Sequence, residues 1–109
     1  MSRAMAAYKV FIDDNFHYQD ESERVARGTF ETAAEAVAAC KAIVDDFLAD
    51  AFKAGMSATD LYGQYASFGD DPFIVPVDPK DAPVTFSAWH YARVRCEVIA
   101  KSLHGREDA

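Results

Sequence analysis

The chain predicts an α+β domain in the order β-β-α-α-β-α, a small antiparallel sheet with helices packed on one face. Three features of the sequence carry that expectation. An alternating apolar segment lies near the start, two longer stretches, the first of them Ala-rich, repeat apolar residues at three- and four-residue steps, and a short β-rich run sits among prolines. At 109 residues the length suits one domain over 1–109, with 1–6 and 105–109 as flexible ends.

In the first segment Tyr8, Val10 and Ile12 alternate with Lys9, Phe11 and Asp13, the period of a strand with one buried face. Continuing the register puts Asp14 in the apolar row. Three outcomes resolve that conflict: the strand ends near Asp13, a bulge turns Asp14 outward, or Asp14 is buried with partners. The acidic run 19–23 reads as a hairpin loop, and Arg24 to Phe30 as a second strand. A loop this short cannot cross over, so the two strands pair antiparallel. Gly28 marks a bulge or a close backbone approach within the second one.

Thr32 and Glu35 have capping-box spacing and open a long helix at Ala33, with Gly55 as its stop. Val37, Cys40, Val44, Phe47, Leu48 and Ala51 form its inner stripe. Glu35, Lys41, Asp45, Asp46, Asp50 and Lys53 fall on the solvated side. Ser57 and Asp60 open a shorter helix through Tyr65, weakened by Gly63. Phe68 to Pro72 has turn chemistry. Phe73 to Val77 is a short strand, which Pro76 confines to a sheet edge or a strand end. Asp78 to Val84 is an irregular surface loop. Ser87 caps a last helix from Ala88 to about Leu103, with Trp89, Ala92, Cys96, Ile99 and Leu103 in its stripe and Tyr91 and Val98 widening it. Arg93, Glu97 and Lys101 lie opposite.

The stretches YKVFIDDNFHY, GTFET before the long helix, FGDDPFIVP and FSAWHYARVRCE resemble a family of small bacterial proteins of unknown function. The resemblance covers roughly residues 8–100, and DDNFHY and FGDDPFI are its most specific pieces. It implies one intact domain. It brings no activity, cofactor, partner or functional residue with it.

Composition narrows the functional classes. With a net charge of −7 the domain repels phosphate backbones, and no basic stripe accompanies its aromatics, so nucleic acid is not an expected partner. No apolar run has the length of a membrane span, and the start of the chain lacks a signal-peptide core, so the expected setting is cytoplasmic. Cys40 and Cys96 lack CxxC spacing, and each falls in a core stripe, where a thiol is inert. No HExxH, GxSxG or GxxxxGK[ST] pattern occurs, and no cofactor is expected.

Asp13, Asp14, His17, Asp20, Glu21 and Glu23 are the densest group of potential metal ligands. Read as a calcium loop from Asp13 they place Tyr18 where Gly is required and Arg24 where Glu is required. They read as a solvated hairpin tip, and no metal is expected. His104, in the last turn of its helix, complements the helix dipole.

Phe16, Tyr18, Tyr62, Tyr65, Phe68, Phe73, Trp89 and Tyr91 either fill a Leu-poor core or line a pocket or interface. If they line a pocket, its candidate residues are Asp14, His17, Tyr65, Trp89 and His90. The composition favours a small acidic interaction or accessory protein that meets a basic partner or itself. The alternative is a small-molecule-binding domain or enzyme built on the aromatic pocket. A concave site where these side chains converge separates the second reading from the first.

Overall fold

The computed structural model describes residues 7–15 and 25–108, with backbone alone for Asp14 and 102–108. Its elements are β1 (Tyr8–Asp14), β2 (Val25–Phe30), α1 (Ala33–Ala51), α2 (Ala58–Phe68), β3 (Asp70–Pro76) and α3 (Ala88–Asp108). The expected α+β order is the observed one. The three strands form an antiparallel sheet in the order β2-β1-β3, so the alternating first strand is central and the two later strands are its edges.

Alternation in β1 decides which face the helices cover. Val10 is fully buried against Ala36, Cys40 and Ile43 of α1, with Tyr8, Ile12, Phe30 and Ile74 packed around them. On the other face Phe11 stacks on its cross-strand partner Phe73, ring centroids 5.7 Å apart. A second core joins the three helices: Val44 and Leu48 of α1, Leu61 and Tyr65 of α2, and Ala88, Ala92 and Cys96 of α3. Phe86, just before α3, touches both clusters.

The helix starts follow their caps. Thr32 Oγ1 accepts from Glu35 N at 3.0 Å, and Glu35 accepts in return from Thr32 N. Ser57 Oγ accepts from Asp60 N at 3.0 Å, and Ser87 Oγ from His90 N at 3.1 Å. The ends depart from expectation. α1 stops at Ala51 with Phe52 as its cap, and Gly55 serves the following turn at φ 88°. α3 continues past Leu103 and through Gly105 to Asp108.

The strands differ from the sequence reading at one end. β1 runs through Asp14, and Asp70 and Asp71 are strand residues, paired opposite Asp14 and Asp13. The ladder overrides the turn chemistry of FGDDP because α2 runs on to Phe68 and Gly69 then feeds directly into β3. Both strand prolines, Pro72 and Pro76, lie in this edge strand, where a missing N–H is tolerated. The bulge falls in β2: the register slips between Val10↔Gly28 and Phe11↔Ala26, leaving Arg27 as the extra residue. The 19–23 loop lies outside the described residues.

Two assignments of helix faces need correction. Asp45 is not a solvated bystander: Tyr91 Oη donates to it at 2.9 Å and Arg95 Nε at 3.0 Å, tying α1 to α3. Val98 is 46% exposed and does not widen the α3 stripe, where Ala100 is the buried residue instead. Ile43 and Ala36 are core residues that the α1 stripe omits.

Val44→Asp should unfold the domain, since an unpaired charge at a fully buried position costs several kcal/mol, comparable to the stability of a small domain. Asp45→Ala should lower stability by about 1 kcal/mol, because it strands the Tyr91 hydroxyl and a half-exposed Arg95. Chemical denaturation of the two variants checks both values. Burial pushes the Cys40 and Cys96 thiols up to about 11, with nearby Asp71 and Glu97 respectively adding to it. Thiol reagents should therefore label both slowly in the native state at neutral pH and rapidly after denaturation, as followed by mass spectrometry.

Candidate functional site

The place where sequence logic and structure diverge is also where polar groups gather. At the Asp14 end of β1 the chain leaves the ladder through Asn15, whose N–H donates to Gly69 O at 2.9 Å. Asn15 is the buried polar residue of the described chain, only 8% exposed. Its Nδ2 donates to Tyr65 O at 2.9 Å, which fixes the amide orientation. Its Oδ1 is shielded from solvent and has no hydrogen-bond partner. A buried acceptor left in that state costs about 1–3 kcal/mol.

Tyr65 is the support beneath it. Fully buried, it accepts at its carbonyl from Gly69 N at 2.8 Å and from Asn15, while its hydroxyl donates to Asp70 O at 2.7 Å. Burial, and then the nearby Asp71 carboxylate, hold that hydroxyl well above the ordinary tyrosine range, so it stays a donor. Gly69 is required here by space. A Cβ on it would sit 2.5 Å from Tyr65 Cδ1 and 2.8 Å from Tyr65 O. Trp89, in the first turn of α3, meets the Tyr65 ring edge-to-face at 5.6 Å, and its Nε1 donates to Asp71 Oδ2 at 3.2 Å.

Asn15, Ala66, Asp71 and Trp89 line a cleft of about 420 Å³. Burial raises the Asp71 carboxyl above the usual carboxylate range, the Trp89 hydrogen bond pulls it down, and Asp13 across the ladder raises it again. Oδ1 of Asp71 receives no hydrogen bond among the described residues. Two further clefts, of about 230 and 260 Å³, are lined by Ile12, Arg27, Asp46 and neighbours and by Tyr62, Arg93 and neighbours. Neither contains a shielded side-chain atom without a partner.

Of the sequence candidates, Tyr65 and Trp89 are brought together, one as support and one as wall. His90 is exposed and does not line the cleft, being one step further round the helix than Trp89. Asp14 is placed in the ladder opposite Asp70, with only its backbone described. His17 lies outside the described residues, as do Phe16 and Tyr18. Phe68 is 55% exposed, and Phe73 belongs to the Phe11 stack. Asn15 and Asp71 were not among the candidates, yet they sit within DDNFHY and FGDDPFI, the two most distinctive stretches of the chain. The β1–β3 ladder makes those stretches neighbours.

No group of three or more His, Cys, Asp or Glu among the described residues has the arrangement to hold a metal. Among the described residues no helix is long and apolar enough to cross a membrane. Comparison with protein-family models, with curated proteins and with solved structures finds no match in any of the three.

The raised Asp71 carboxyl makes a signed prediction for stability against pH. A carboxyl that is harder to ionise in the fold than in the unfolded chain lowers stability as pH rises from the ordinary carboxylate value, near 3.8, through its raised folded value. Asp71→Asn keeps an acceptor for Trp89 and removes the charge. Its thermal midpoint should equal or exceed that of the parent at neutral pH, and the difference should shrink as pH falls through about 3.8 and vanish about one unit below it, where the unfolded-state carboxyl is also protonated.

Proposed function

We propose that the protein is a binding domain that takes a small polar ligand in the cleft between Asn15, Asp71 and Trp89, with no catalytic step of its own. The observation that supports this reading most directly is the cleft itself, about 420 Å³, with the half-buried Asp71 side chain and the Trp89 indole in its wall. The aromatic wall and a few polar groups at fixed positions are the usual composition of a ligand site. Catalysis finds little support, because both thiols are buried and His90 stands outside the cleft.

The second reading is an acidic accessory protein for a basic partner, favoured by the net charge of −7. It also has Val94 and Val98, one turn apart and each 46% exposed on α3, as apolar surface away from the cleft.

Trp89 is the only tryptophan and stands in the cleft wall, so its emission responds to what enters the cleft. Titration with small cationic, anionic and neutral polar molecules should give a saturable change in Trp89 emission for one class. The same class should raise the thermal midpoint, by about 2.7 kcal/mol of stabilisation at a hundredfold excess over Kd. If no class moves either signal, the binding reading is wrong.

A further inference from the structure

We infer that Tyr62 is a positioning residue of this site: clamped by Arg93, it sets the orientation of the Trp89 indole in the cleft wall. This rests on the binding reading and adds the contact, outside the wall itself, on which affinity depends.

The indole is tied by its polar atom at one point. Trp89 Nε1 donates to Asp71 Oδ2 at 3.2 Å, the long end of the range for such bonds. A bond that long, to a side chain with rotamers of its own, leaves the tilt of the ring to its aromatic contacts. Two rings supply them. Tyr65 meets the indole at 5.6 Å and 81°, and Tyr62 meets it at 6.4 Å and 69°, both edge-to-face. The two tyrosine rings lie 6.3 Å from each other, so three rings close a triangle.

The two tyrosines are held differently. Tyr65 is fully buried and bonded at both polar ends. Tyr62 is half-buried and is held from α3, where the Arg93 guanidinium carbon lies 4.9 Å from its ring centroid. Arg93 follows Trp89 by four residues, the spacing that puts two side chains on one face of a helix. α3 therefore takes the Tyr62 ring of α2 between Trp89 and Arg93, and the two helices are fixed in register beside the cleft. Tyr62 lines the cleft of about 260 Å³ with Arg93, and it acts on a ligand of the larger cleft through Trp89.

Tyr62→Leu removes the ring and keeps an apolar side chain, and Tyr62→Phe restores the ring without the hydroxyl. Trp89 gives a readout that needs no ligand: its fluorescence anisotropy and the tryptophan band of the near-ultraviolet circular dichroism. Both should fall in Tyr62→Leu, in a chain that still unfolds cooperatively, and both should match the parent in Tyr62→Phe. Parent and variants are then titrated with butylamine, butyrate and butanol. For whichever of these the parent binds, Tyr62→Leu should weaken binding by about threefold to tenfold, the worth of one aromatic pair, and Tyr62→Phe should leave it within about twofold.

Parent-like anisotropy and circular dichroism in Tyr62→Leu would overturn the inference. Parent-like affinity in Tyr62→Leu would overturn it too and leave the binding reading standing. If the parent binds none of the probes, the binding reading fails, and the spectra still decide whether Tyr62 positions the indole. Should Tyr62→Leu not fold, Arg93→Gln, at an exposed position, takes its place. A smaller fall in anisotropy is then expected, and an unchanged value contradicts the clamp.

Discussion

Tyr65 is the residue on which the arrangement depends. Its carbonyl ends α2 by accepting from Gly69 and holds the Asn15 amide, and its hydroxyl reaches the Asp70 carbonyl at the start of β3. Its ring contacts Phe47 of α1 and Trp89 of α3 edge-on, so one residue joins three helices to β3 and to Asn15 at the end of β1. Burying such a ring contributes about 1.5–3 kcal/mol, and each hydrogen bond adds about 1 kcal/mol. The larger effect is geometric. Because both polar ends of the residue are bonded, the end of the β1–β3 ladder has one position relative to the helices.

That single position explains several features that look unfavourable one by one. Like-charged Asp13 and Asp71 face each other across strands, an arrangement that costs stability in an ordinary sheet. Gly69 sits where no other residue fits against the Tyr65 ring. Asn15 has an acceptor with nothing to accept from. All three lie within a few residues of one another, at the end of the ladder where the cleft opens. Local conflicts of this kind collect at the functional or strained positions of a fold.

Much of the fold was legible in the chain because its local signals agree. The period-2 row at Tyr8, Val10 and Ile12, the cap at Thr32 and the Gly28 bulge each act over a few residues, and the structure has all three. What was not legible depends on contacts between distant segments. FGDDP has the composition of a turn, and only its pairing with Ile12, Asp13 and Asp14 turns it into strand. Asp45 has the spacing of a solvated residue, and only α3 supplies Tyr91 and Arg95 to it. The site was half legible. Trp89 and Tyr65 stood out as large aromatics with polar tips, whereas Asn15 and Asp71 are ordinary turn residues until the ladder brings them together. His90 drew attention by residue type, and its position on α3 leaves it exposed.

The central claim is that the ladder end is held as rigidly as the core, so that the cleft is a fixed feature of the fold. Native-state amide hydrogen exchange tests it at the Asn15 and Gly69 amides, which donate to Gly69 O and Tyr65 O. Both amides are expected to exchange only through global unfolding, with the same free energy as the core amides of Val44 and Leu48. Exchange of Asn15 and Gly69 at the rates of an open loop, while Val44 and Leu48 stay protected, would contradict it.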